Sequence, residues 1–552
     1  MNDKNENNFL PIDQAFADFI LRLSGAGSDE TVKEIILELS AAVRSGASCL
    51  ELSEEKRQHL IENCSRAIGV YPENGLSLPL LLDGKFLYFQ KLLKFEIELA
   101  ELLLNIASRP VPDLPADRVD DIFADLQKNP ALSPAQLAAI DTQKKAVRRS
   151  LSKPLAVISG GPGTGQTTVA SALLAMELQR TSPNKIALLA PTGKAHVRLK
   201  ESLLEDSKKF NIPDETRTLF AELPGGTIHR FLGWGKDKTK YSADNPAPFD
   251  LVLVDECSMI SLHTMTTLLS ALPAHTRVVL LGDDAQLSSI DAGLVFSDIC
   301  KASSKADSGP LHDIVSNLVY NFRAENAAEL IDFAQNLRQG RLPEKMVFQS
   351  TPTLKNFAAA FGNIIDAARQ ICNWCEKNTP QFLDEAFKLL DKYKIICPVT
   401  KNVNWGTAGI NKTVLKTLEL EEHSAGVPIM IRHNNYDLEL FNGDTGLIIP
   451  GKKAVFPGKA EPFPLAILPE YDIAYAISAH KSQGSGYQHI CLLLPDEEHP
   501  LLDRPLIYTA VTRARLTAKI YGKREVIEKA LSVSGTRSSG LSQRLLELNS
   551  KQ

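Results

Sequence analysis

Gly160-Gly161-Pro162-Gly163-Thr164-Gly165-Gln166-Thr167-Thr168 follows the apolar run LAVIS (155–159) and precedes the helix-like VASALLAMELQR (169–180). A β-like run, a glycine-rich turn and a helix form one unit. The loop fits G-x-x-x-x-G-K-[ST] at every position except Gln166, where lysine is required. Its glycines let backbone N–H groups turn inward around a phosphate, and the helix N-terminus adds partial positive charge. The cradle is present without its usual cation, since no Lys or Arg lies between Lys153 and Arg180. A charged contact of that kind is worth several kcal/mol in a phosphoryl-transfer transition state, so nucleotide binding is expected to survive better than hydrolysis. On the loop alone, a glycine-rich βα turn without nucleotide stays open.

Three more apolar runs extend the pattern: KIALLAP (185–191), FDLVLVDE (249–256) and TRVVLLGD (276–283). Runs of this kind alternating with helical segments predict a parallel sheet covered on both faces, which binds ligands at the carboxyl ends of its strands. Asp255-Glu256 closes one run: Asp255 would orient the hydration shell of Mg2+, with Thr167 as direct ligand, and Glu256 would activate water. Gln286, after Gly282-Asp283-Asp284-Ala285, could sense a γ phosphate. Arg323, in VYNFR (319–323), and Arg513, in YTAVTRAR (508–515), offer planar, permanently charged donors to it.

Around this unit the chain divides. At 552 residues it predicts three or four domains. Residues 12–110 show helical spacing with one strand pair in LPLLLDGKFLYF around Asp83-Gly84. SRPVPDLPADRVDD, with Pro110, Pro112 and Pro115, places a boundary near 118. The domains expected are a mainly helical one over 1–118, a first α/β domain over 119–345 and a second over 346–552. The second starts at KIICPV (394–399), is interrupted by a small β-module over about 413–470 and resumes at YDIAYAIS (471–478). The Ser/Gly-rich tail after Val533 is expected to be mobile.

Hydrophobic residues at 44% and charged residues at 23% exclude dominant disorder, and a net charge of −5 confines any nucleic-acid site to a local groove. The polar N-terminus and the lack of an 18-residue apolar run predict a cytoplasmic protein with neither signal peptide nor membrane span. Cys372 and Cys375 lack the second half of a zinc site and read as one helix face. Lys144, Lys145, Arg148, Arg149 and Lys153 read as a solvated helix face rather than a DNA track.

Several stretches, in order, resemble superfamily 1 helicase motifs: Gln143, APTGKA (190–195), TIHRFLG (227–233), VDECSM (254–259), LGDDAQL (281–287), HKSQGS (480–485) and YTAVTRAR (508–515). ISGGPGTG (158–165), LFNGDTG (440–446), TRSSGL (536–541) and LLLDGKFLYFQKLL (80–93) are similar to the RecD family, the alpha subunits of RecBCD (exodeoxyribonuclease V). The resemblance implies two RecA-like domains and an ATP-driven, 5′-to-3′ motor on single-stranded DNA, with RecB-like and RecC-like partners. It implies that Gln143 reads adenine. It also implies strand contacts from Thr192, Lys194, Thr227, His229, Arg230, His480 and Ser482, whose types suit phosphates and bases. The alternative is that these loops pack between domains.

Two departures fall in one pocket: Gln166, and Gly486 where the family generally has glutamate. They fit decay of the ATP site, while Asp255, Glu256, Gln286, Arg323 and Arg513 remain. Three functions stay open: a helicase subunit impaired by Gln166; a catalytically silent DNA- or nucleotide-binding subunit; and an unrelated kinase or GTPase, against which G-D-x-x-Q and the distant T-R-A-R argue.

Overall fold

Leu155–Gly160 pairs in parallel with Arg277–Gly282 on one side and Val315–Leu318 on the other, at the heart of a six-stranded sheet. The order continues through Leu251–Val254 and Ile186–Ala190 to Gly225–Thr227. These strands are continuous apolar runs because the sheet is covered on both faces: Val157, Leu189 and Leu280 point into one core, Ile158, Leu188 and Leu281 into the other. The computed structural model describes residues 9–111, 118–179, 181–234, 240–322, 327–343, 357–377, 379–400, 405–435, 437–535 and 537–551. Pro112, Pro115, Arg323 and Thr536 lie outside the described residues.

The second parallel sheet runs Ala476–Ser478, Tyr393–Cys397, Tyr487–Leu493, Ala514–Tyr521. The antiparallel module has five strands from Pro428–Ile431 to Tyr471–Ile473. Two details differ from the sequence reading. Helix Thr407–Leu418 belongs to the parallel layer, since Asn411 donates to the carbonyls of Ile473 and Ala476. YDIAYAIS is divided: Ile473 pairs with Ile429 of the module, and Ala476 pairs with Ile395 of the parallel sheet.

The N-terminal region holds more strand than its helical spacing predicts. Leu80–Asp83 and Phe86–Phe89, turning at Gly84 (φ 56°), are joined by Leu50–Glu51 and Ile68–Val70 in a four-stranded sheet. Its last helix, Gln90–Ala107, buries Leu99, Leu103 and Leu104 in the core of the first α/β domain.

The tail after Val533 contradicts the expectation of mobility. Helix Leu541–Asn549 buries Leu541 and Leu545 in that same core. The Ser538 carbonyl accepts from the Ser48 amide at 3.0 Å, and the Asn549 Oδ1 accepts from the Leu311 amide at 2.9 Å. Glycine and serine here let the backbone pass close to its neighbours. On the basic helix face one member departs from the solvated reading: Lys144 is buried, its ammonium 2.8 Å from Asp120, while Lys145 is exposed and the half-exposed Arg149 and Lys153 donate to the carbonyls of Val315 and His312. Cys372 and Cys375 lie on one helix, Gly362–Lys377, and the Cys375 thiol is buried.

Candidate nucleotide site and strand-facing loops

The carboxyl ends of the first sheet and the loops of the second enclose a cleft of about 690 Å³. Gln143, Gly160 to Gly163, Gly165 to Thr168, Asp255, Glu256, Gln286 and Arg513 all line it. Residues separated by up to 370 positions therefore meet at one place.

Gly165 adopts φ 89° and starts helix Gln166–Glu177; a Cβ there would fall 2.0 Å from Gln143 Nε2, so both conformation and space require glycine. Thr164 closes the turn by donating its hydroxyl to the Gly161 carbonyl at 2.8 Å. Thr168 donates to Asp206 at 3.0 Å, and the neighbouring Thr167 also lines the cleft. The Gln166 amide turns back onto the sheet, donating to the carbonyls of Ile158 at 3.2 Å and of Gly282. Its donor group is therefore satisfied by strand ends, where a lysine would extend to phosphate.

Asp255 and Glu256 are both withdrawn from water. Burial, with Glu256 beside it, pushes Asp255 up to about 7. Burial also raises Glu256, while Arg513 and Arg198 pull it down. Glu256 holds a left-handed backbone (φ 51°), with its amide donating to Asp255 Oδ1 at 2.8 Å. Such a pair is short of positive charge and suits a divalent cation.

Four buried polar atoms of residues lining this cleft have no hydrogen-bond partner among the described residues: Gln143 Oε1, Gln286 Oε1, Ser485 Oγ and Arg513 Nη2. Gln286 otherwise donates to Asp283 at 3.2 Å, and Arg513 to the carbonyls of Thr509 at 3.2 Å and Ser485 at 3.4 Å. Buried orphans cost free energy unless a ligand meets them. The donor set fits a nucleoside triphosphate with Mg2+, the loop cation apart.

The strand-facing candidates divide. Thr192 and Thr227 cap helices through the amides of Ala195 and Arg230, both at 3.2 Å. Arg230 is exposed, and His229 packs edge-on against Trp234 with ring centroids 4.8 Å apart. Burial, then the nearby Arg198, pushes Lys194 down to about 8, and burial pushes His480 down to about 4, so His480 is a neutral ring at pH 7. Ser482 is a correction. It is fully buried and its hydroxyl donates to the Ala479 carbonyl at 2.6 Å, which holds the turn and leaves no hydroxyl for a strand.

Sequence reasoning missed Arg198, Arg515 and the Tyr508–Asp283 pair, which also line or border the cleft. Arg515 and Tyr508 stood inside the quoted YTAVTRAR, but nothing in the motif's spacing said which way they point.

The chain matches the family models of an AAA domain over residues 143–292 and of a UvrD-like helicase C-terminal domain over residues 473–520. It is 30% identical to RecBCD enzyme subunit RecD of Mycobacterium tuberculosis, over 84% of this chain and 81% of that one. The chain belongs to the RecD family of helicases. It is 29% identical to RecBCD enzyme subunit RecD of Haemophilus influenzae, over 87% of this chain and 83% of that one. With the ATP-dependent RecD2 DNA helicase of Deinococcus radiodurans it shares 28% identity, over 78% of this chain and 54% of that one. As a RecD-family member, the chain carries its two parallel sheets as the two RecA-like halves of a superfamily 1 motor. No helix among the described residues is long and apolar enough to cross a membrane.

Proposed function

We propose that this RecD-family chain is the ATP-driven, 5′-to-3′ single-stranded DNA motor subunit of a RecBCD-like complex, working in double-strand break repair in the cytoplasm with RecB-like and RecC-like partners. The observation that carries this is the convergence of the phosphate loop, Asp255-Glu256, Gln286 and Arg513 on one cleft between two parallel sheets. Bound Mg2+ would neutralise the terminal phosphates there, with Thr167 and Asp255 as its protein partners. Glu256 accepts the proton of the attacking water, and Arg513 brings the second domain onto the phosphates, so closure follows the nucleotide. Closure moves the strand-facing loops at Lys194, His229 and Arg230 relative to His480, and that displacement advances the strand.

A surface for a protein partner lies on helix Pro11–Ser24, where Ile12, Phe19 and Leu23 repeat on one face and are 64%, 50% and 42% exposed. This supports docking of the N-terminal region on a RecC-like subunit. A second reading, a silent subunit that binds nucleotide or DNA without turnover, is favoured by the Gln166 amide turned onto Ile158 and Gly282.

ATP hydrolysis by the purified chain, with and without single-stranded DNA, alongside nucleotide titration, separates the two. DNA-stimulated turnover means a motor that tolerates glutamine at 166. Binding without turnover means the silent subunit, and no binding of either ligand overturns both.

A further inference from the structure

The cleft is lined by four cations: Arg198, Lys209, Arg513 and Arg515. Lys209 is neutralised, its ammonium 2.5 Å from Asp206. Among the described residues none of the three arginines forms an ion pair, although the loop beside them lacks its own cation. A guanidinium at a polyanion site with no carboxylate to satisfy it is a ready phosphate ligand.

Arg198 is placed by a rigid element. It lies one helical turn beyond Lys194 on helix Gly193–Ser207 of the first domain. Its guanidinium spans the cleft to the Gly484 carbonyl of the second domain at 2.9 Å. It is also one of the two cations close enough to Glu256 to draw that carboxyl down, Arg513 being the other. Arg515 lines the same cleft from strand Ala514–Tyr521 and borders a second small cavity beside Pro162. A Cβ at residue 486 would lie 3.2 Å from Arg515 Nε, so glycine there leaves the guanidinium uncovered. Gln166 therefore leaves the loop without a positive charge, and Gly486 places no side chain against Arg515.

We propose that Arg198, assisted by Arg515, takes the part of the missing loop lysine: Arg198 binds the terminal phosphate of a nucleoside triphosphate beside Glu256, and Arg515 binds the inner phosphates from the opposite domain. The proposal deepens the nucleotide reading of the cleft and rests on it. A phosphate oxygen is a stronger acceptor for a guanidinium than the Gly484 carbonyl, so the triphosphate exchanges one contact across the cleft for another. A diphosphate lacks the group that Arg198 reaches.

The test titrates fluorescent ATP and ADP analogues into the wild-type chain, Arg198→Gln, Arg198→Lys and Arg515→Gln, and into Arg198→Gln combined with Gln166→Lys, with a melting curve for each. Arg198→Gln is expected to weaken ATP binding about tenfold or more while ADP binding changes little, and Arg515→Gln to weaken both. Arg198→Lys keeps most of the affinity, and Gln166→Lys restores it to the Arg198→Gln chain. Wild-type ATP affinity in Arg198→Gln, or no rescue by Gln166→Lys in a folded double variant, overturns the proposal. If the wild-type chain binds neither nucleotide, the reading of the cleft falls with it; if wild type and Arg198→Gln bind both equally, this proposal alone falls.

Discussion

The phenol of Tyr508 donates to Asp283 Oδ2 at 2.9 Å, across the boundary between the two parallel-sheet domains. One residue on, the Thr509 hydroxyl accepts from the Leu287 amide at 2.7 Å. Helix Arg504–Val511, which leads into Arg513, is thereby tied to the loop that carries Gln286.

Tyr508→Phe removes that donor from a carboxyl that burial already raises. Leaving a buried acceptor short of a partner costs about 1–3 kcal/mol. Nucleotide binding is expected to persist while DNA-stimulated turnover falls about tenfold, because Arg513 loses its fixed relation to Gln286. Steady-state hydrolysis beside a melting curve checks this; a lower melting temperature with unchanged turnover would reduce the bond to a structural tie.

Gln166→Lys replaces an amide turned onto two strand carbonyls with a charge that can extend into the cleft. DNA-stimulated ATP turnover is expected to rise by at least about tenfold. Equal, near-background rates in both forms would sink the idea that the remaining phosphate-facing residues form a working set.

Arg513→Ala, made in the Gln166→Lys chain, should abolish turnover and leave single-stranded DNA affinity nearly unchanged. Arg513 is buried against Thr509 and Ser485 and lines the nucleotide cleft. Loss of DNA binding in a folded variant would move it to the strand path.

The first sheet was legible because each of its long strands is buried on both sides and had to be written as a continuous apolar run. The phosphate loop was legible because φ 88° at Gly163 and φ 89° at Gly165 demand glycine at fixed spacing. Side-chain direction was not. Ser482 and His480 are two positions apart in one motif, yet one hydroxyl is spent on its own turn and one ring is held neutral by burial. Arg198 lies three residues beyond APTGKA, and only the helix path brings it to the cleft. The tail misled because small polar residues read as flexible also pack where the backbone must approach a neighbour closely.

Burial, with Arg198 nearby, pushes the Lys194 ammonium down to about 8. Its folded pKa is depressed, so burial contributes stability above the ordinary lysine value that is lost as pH falls toward 8. At neutral pH the charged ammonium costs stability, which Lys194→Met should recover while weakening strand binding. If the ammonium holds a DNA phosphate, affinity falls as pH rises through about 8 in the wild-type chain and stays level in Lys194→Arg. Parallel pH profiles for the two chains would remove Lys194 from the strand path.

Glu96 joins three parts of the chain. Its fully buried carboxyl accepts from Ser48 at 2.6 Å, Tyr88 at 3.0 Å, Ser539 at 3.2 Å and the Gly540 amide at 3.3 Å. Burial raises its pKa, against the lowering effects of Ser48, Arg544, Tyr88 and Ser539. A raised folded pKa contributes stability in full below the ordinary carboxyl value, and that stability is lost as pH rises through the elevated one. The melting temperature of Glu96→Gln should therefore gain on wild type as pH rises from acid to neutral. The opposite trend would mean that the four donors outweigh desolvation. Gly540→Ala tests the same clasp sterically, because the added Cβ would lie 1.9 Å from the Tyr88 hydroxyl. It is expected to free helix Leu541–Asn549 to protease without touching the nucleotide cleft, so tail cleavage should rise while nucleotide affinity holds.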